Sequence, residues 1–124
     1  MRLPTLCLVA LLVNASCGPS KAEIAAVIDR AAPLVRAIRA YESDAGRPPA
    51  SLNALVPKYL AAVPTTGLDA SPSYDYTVRP GRPPRWDLMV HVAGFGFKHM
   101  RYDPRREYEI PVTELRDGWV MIDP

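Results

Sequence analysis

Residues 41–60 read YESDAGRPPASLNALVPKYL. Gly46 suits the left-handed position that closes a helix, and Pro48 and Pro49 bar its continuation. Ser51 is placed to cap a second, short helix that carries Leu52, Leu55 and Val56 and ends at Pro57. Tyr59 and Leu60 pack in the turn beyond. The stretch is a corner, where one helix stops and another starts, and its punctuation divides the chain.

Upstream of the corner, Ser20 and Glu23 have the spacing of a capping box, in which each side chain satisfies a backbone N–H of the other. Ile24, Val27, Ile28, Ala31, Leu34, Val35, Ile38 and Tyr41 then recur at helical spacing and form one apolar stripe. The pattern predicts a helix from about residue 21 to 44. Pro33 removes one of its hydrogen bonds and bends it.

Downstream, the period changes to two. Tyr74, Tyr76 and Val78 alternate with Asp75 and Thr77, and Trp86, Leu88, Val90 and Val92 alternate with Asp87, Met89 and His91. Residues 79–84 are a proline-rich loop. Ala93 and Gly94 are expected to turn the chain into a strand over 95–102 that pairs Val90 with Phe97. Asp103, Pro104, Arg105 and Arg106 suit a type I turn. A strand over 107–112 follows, and Asp117-Gly118 turns the chain into Trp119, Val120, Met121 and Ile122. The expected fold is α+β: one long helix, one short helix and an antiparallel meander of three to five strands. Trp86, Phe95, Phe97, Tyr102, Tyr108 and Trp119 are expected to pack between sheet and helix.

The chain has 124 residues, enough for one domain and a modest core. Its 15 Lys+Arg against 13 Asp+Glu give a net charge of +2, spread along the sequence. The densest basic stretch, residues 79–85, lacks stacking aromatics, which argues against nucleic acid as a partner.

The front of the chain points to a membrane instead. Arg2 precedes an eleven-residue stretch, 3–13, that is apolar apart from Pro4 and Thr5. As a helix it would span about 16 Å, roughly half of a hydrocarbon core, so it is the apolar region of an export signal and not a spanning helix. Asn14, Ala15, Ser16 and Cys17 follow. This ending resembles the lipobox of bacterial lipoproteins, although Asn14 stands where an aliphatic residue is usual. The resemblance implies a signal peptide over 1–16 that is removed, acyl chains on Cys17, a tether over 17–20 and a single domain over 21–124. Gly18 after the cysteine implies the outer membrane, facing the periplasm. Cys7 would leave with the signal, so Cys17 would have no internal disulfide partner.

The opening stretch carries a second resemblance. Residues 37–41 (AIRAY), 44–49 (DAGRPP), Ser51-Leu52, 55–60 (LVPKYL), Val63-Pro64 and Tyr74-Asp75-Tyr76 resemble, in order and spacing, the soluble domain of type II secretion pseudopilins and related type IV pilin-like proteins. The similarity covers residues 24–92 and implies a pilin-like body: a long N-terminal helix packed on an antiparallel sheet. The long apolar helix that anchors such subunits and forms the filament core has no counterpart here. The resemblance therefore implies the fold, and a role beside a secretion or pilus-like apparatus, more than filament assembly.

No catalytic group, cofactor or metal site is expected. His91 and His99 would point to opposite faces of the proposed hairpin. Asp69, Asp75, Asp87 and Asp103 are oxygen donors of the kind calcium prefers, but without the spacing of a calcium loop. Arg79, Arg82, Arg85, Arg105 and Arg106 would form a cationic surface for a partner's carboxylates or for anionic headgroups if the sheet brings their loops together. The function expected is a lipid-anchored envelope module that binds another envelope protein. The alternatives are a periplasmic lipoprotein that binds or hydrolyses a small ligand and a structural lipoprotein that contacts peptidoglycan.

Overall fold

The computed structural model describes residues 18–92 and 98–123. The segment expected to be a signal, Cys17, the turn expected at Ala93-Gly94, Phe95 and Phe97 lie outside the described residues. Helix α1, Lys21–Ala45, starts as the sequence dictates. Ser20 Oγ accepts the Glu23 N–H at 3.1 Å, and Glu23 Oε1 accepts the Ser20 N–H at 3.2 Å. The helix runs through Pro33 and ends at Gly46, whose φ of 73° lets its N–H reach the Glu42 carbonyl at 2.8 Å. Val27, Ile28, Ala31, Leu34, Ala37 and Ile38 are its buried face. Among the described residues no helix is long and apolar enough to cross a membrane.

The corner is tighter than expected. The second helix is a single 3₁₀ turn, Leu52–Leu55, and Ser51 makes no side-chain cap bond. Pro57 has no N–H to extend a helical ladder, and four residues hold only one turn. Pro48, Pro49 and Leu55 are buried. Tyr59 closes the corner, donating its hydroxyl to Asp44 Oδ2 at 2.6 Å and meeting Tyr41 edge-on, with ring centroids 5.6 Å apart.

Among the described residues five antiparallel strands follow: β1 Asp75–Arg79, β2 Arg85–His91, β3 His99–Tyr102, β4 Thr113–Glu114 and β5 Trp119–Ile122. Their order in the sheet is β1-β2-β3-β5-β4, which is not the simple meander expected. All four residues of β5 are buried, so this strand needs cover on both faces and takes an interior place, leaving exposed β4 at the edge. Asp117 and Gly118, with φ of 55° and 83°, make the primed turn that joins them.

Two further expectations are corrected. Val90 pairs with Met100 and not with Phe97, which puts even-numbered residues of β3 on the helix side. Residues 107–112 form no strand; this segment crosses the outer face of the sheet, where Tyr108 and Ile110 line a cleft together with Ile122.

The register gives the sheet two unlike faces. Tyr76, Trp86, Leu88, Val90, Met100, Tyr102, Trp119 and Met121 pack toward α1. Leu34, Ile38, Leu55, Leu88, Val90 and Met100 are 0% exposed, and burial of each contributes about 1.5–3 kcal/mol. Polar tips on this face find partners. The Tyr74 hydroxyl donates to the Val27 carbonyl at 2.6 Å, Tyr76 to the Pro49 carbonyl at 2.7 Å, and Trp86 Nε1 to Glu42 at 2.8 Å. Arg39 donates to the Tyr102 hydroxyl at 2.6 Å. These bonds fix how the helix lies on the sheet.

Candidate functional site

The outer face carries the charged residues, because the alternation that sends Trp86 and Leu88 to the core sends Asp87 and its neighbours outward. Asp87 lies opposite Thr77, with Arg79 and Arg101 diagonal to it. Its carboxylate meets Arg101 Nη2 at 2.8 Å and Arg79 Nη2 at 3.3 Å. Although on the outer face, Asp87 is only 3% exposed. Arg101 stacks on Tyr108, 5.8 Å from the ring centroid, and its buried Nε has no hydrogen-bond partner among the described residues. Burial raises the Tyr108 phenol above its ordinary pKa.

Around this centre is an open cleft of about 560 Å³. Arg79, Arg85, Arg101 and Arg106 line it, and so do Asp87, Asp103, Glu107 and Glu109. Arg85 is ion-paired to Glu107 at 2.5 Å. The structure therefore brings Arg79, Arg85 and Arg106 together, as the sequence suggested, but with carboxylates among them. Arg105 sits beside Arg85 at a smaller hollow with Pro83 and Pro84, and its N–H is held by Asp103 Oδ1 at 2.9 Å. Arg82 is exposed in the loop between β1 and β2. The surface is a mosaic of both signs and not a uniform cationic patch.

Asp87 and Arg101 are the residues that sequence reasoning missed as a pair. Their odd positions in two alternating strands were visible; their diagonal meeting depends on the β2–β3 register.

The histidines are a correction. His91 and His99 are directly opposite on the outer face, with ring centroids 6.1 Å apart, because the true register differs by three residues from the expected one. His91 Nε2 lies 3.6 Å from Asp75 Oδ2. Among the described residues no Ser, Thr or Cys side chain lines the cleft. Among the described residues no group of three or more His, Cys, Asp or Glu is placed to hold a metal ion. Asp87 and Asp103 share the cleft, and Asp75 faces His91.

The sheet has two distinguishable ends. At one, a Cβ on Gly18 would stand 3.4 Å from the Val92 carbonyl oxygen, so the chain that leads into α1 passes the end of β2. At the other are Arg85, at the start of β2, the 80–84 loop and the 103–106 turn. The seven residues of β2 separate these ends by about 20 Å.

Comparison with protein-family models, with curated proteins and with solved structures gave no match.

Proposed function

We propose that this protein is a lipid-anchored module of the bacterial envelope, held through acyl chains on Cys17, that presents a pilin-like body to another envelope protein. The observation that carries this reading is the separation of the two ends of the sheet. The chain enters at the Val92 end, one residue after Cys17, while Arg82, Arg85 and Arg105 lie about 20 Å away. An anchor at the first end leaves the second accessible. Dual acylation is strong enough for stable anchoring. The mixed charges of the arginine end suit a partner with its own pattern of both signs better than a polyanion, since like charges face each other in any other docking.

The pilin-like reading rests on the Tyr41–Leu60 corner and on a long helix laid across an antiparallel sheet. Outer-membrane location, facing the periplasm, follows the sorting pattern implied by Gly18. A place beside a type II secretion or pilus-like apparatus is the functional setting that this reading implies.

Fractionation of cells expressing the full chain and its Cys17→Ala variant tests the anchor. The native chain is expected in the membrane fraction and the variant in the soluble fraction. Equal membrane retention of both refutes the reading. Affinity capture from cross-linked envelopes, with Arg82→Glu/Arg105→Glu as comparison, tests the partner surface. The reading expects an envelope protein whose recovery falls in the double variant.

A further inference from the structure

Strand β1 is an edge strand, paired to β2 on one side, and its sequence is Asp75-Tyr76-Thr77-Val78-Arg79. Among the described residues no backbone hydrogen bond joins its other side to a further segment. Four of the five residues are exposed, and Val78 is one of three large apolar side chains left exposed among the described residues. Such an edge is a template for another strand.

The order of its side chains is self-complementary. When β1 is laid antiparallel to a second β1 about a two-fold axis between the two Thr77 residues, Asp75 faces Arg79 of the other copy and Tyr76 faces Val78. Directly opposite residues in an antiparallel pair point to the same face. The opposite charges thus meet on the outer face and the apolar pair on the helix face. Two-fold pairing with both helices on one side requires one residue to face its own copy across the axis, and only the register centred on Thr77 pairs all five residues. Pairs centred on Tyr76 or Val78 leave a charge without its opposite.

The surroundings favour the same arrangement. Asp75 and Arg79 keep side-chain exposures of 57% and 55% despite their contacts with His91 and Asp87, so both can take a second partner. Arg79 lies opposite Arg85 of β2, which is paired to Glu107, and the Asp87 carboxylate that Arg79 contacts is shared with Arg101, which leaves the half-exposed Arg79 room for another carboxylate. Pro80 directly follows the strand and has no N–H to donate, so the ladder stops there. A closed two-fold pair results and not an open fibre.

We infer that β1 is a homodimer interface, in which two copies join edge to edge into one ten-stranded sheet. The inference does not depend on the lipid anchor or on the envelope partner.

Two experiments on the full chain test it. Thr77→Cys places two thiols across the axis, where opposite Cα atoms of antiparallel strands stand about 4.5–5.5 Å apart, within disulfide range. Non-reducing electrophoresis is expected to show a disulfide dimer well above the level given by the native chain or by Thr113→Cys on the other edge strand. Sedimentation in detergent measures the dimer constant. Asp75→Arg or Arg79→Asp alone sets like charges opposite at two symmetric positions and is expected to weaken the dimer about tenfold. Asp75→Arg/Arg79→Asp restores opposite charges and is expected to return it to within about threefold of native. The contacts to His91 and Asp87 are not restored in the double variant, so recovery separates the interface from local stability. Thr77→Cys at the control level, or a double variant no better than the singles, overturns the inference. A chain that remains monomeric at all concentrations also overturns it and leaves the edge to a strand from another protein.

Discussion

Asp87→Ala should be among the most damaging single changes outside the apolar core. The carboxylate is 3% exposed and receives Arg101 at 2.8 Å and Arg79 at 3.3 Å. The two arginines differ in what its loss would leave them. Arg79 is about half exposed and returns to water, so its share is at most about 1 kcal/mol. Arg101 has a side chain only 16% exposed and an Nε that already lacks a partner among the described residues. Removing Asp87 takes away the ion-pair partner of a guanidinium held largely out of water, for which about 3–5 kcal/mol is typical. The open side of the cleft lets some water reach it, so we expect about 3 kcal/mol. For a domain of this size that lowers Tm by roughly 10–15 °C. Urea unfolding followed by far-UV circular dichroism, with an unchanged m value, measures it. Arg79→Ala should cost about 1 kcal/mol or less. Asp87→Leu/Arg101→Met, which removes both buried charges, should recover most of the loss. A loss below about 1 kcal/mol for Asp87→Ala, or an equal loss for Arg79→Ala, refutes the argument that Arg101 is the arginine at stake.

Two further outcomes are expected. Gly67 has φ of 79°, and a Cβ there would lie 1.3 Å from Arg30 Nη1, which donates to the Thr66 carbonyl at 2.9 Å. Gly67→Ala should cost about 2 kcal/mol by thermal unfolding, with about 1 kcal/mol persisting in an Arg30→Ala background, because backbone strain remains when the clash is gone. Burial pushes the Tyr74 phenol up to about 12. The folded state therefore keeps a proton that the unfolded chain releases near pH 10, so stability from this group is constant below pH 10 and is lost between pH 10 and about 12. Absorbance titration should show this late phenolate step ahead of that of Tyr76, whose phenol burial also raises, and Tyr74→Phe should remove the earlier of the two.

The parts of the fold legible in the sequence are those fixed within a few residues. Ser20 with Glu23, the stripe from Val27 to Ile38, and Gly46 with its prolines each state a local geometry that the structure adopts. What failed depended on pairing. Residues 95–102 offer two alternations, one through Phe95 and Phe97, which lie outside the described residues, and one through Met100 and Tyr102, which are 0% and 6% exposed. That choice reverses which side of β3 faces the helix, and it brings His91 opposite His99 and Arg101 beside Asp87. The place of β5 had a readable signal. Trp119, Val120, Met121 and Ile122 are apolar without alternation, the mark of a strand covered on both faces. Tyr108, Ile110 and Val112 alternate as a strand would, yet this segment covers the outer face, since Val120 and Ile122 need it there.

The anchor and the β1 interface constrain each other if both hold. A two-fold axis between the two Thr77 residues is perpendicular to the sheet and reverses strand direction, so the anchored end of one copy lies beside the arginine end of the other. Two copies fixed in one bilayer are related by an axis along the membrane normal. The joined sheet must then lie parallel to the bilayer, because an upright sheet would carry one anchor about 20 Å above the other, and the two residues Gly18 and Pro19 are too short to reach back. A monomer, in contrast, can stand on its anchor with Arg82 and Arg105 away from the lipid. Dimerisation would thus change the orientation of the arginine end relative to the membrane without any change within the domain.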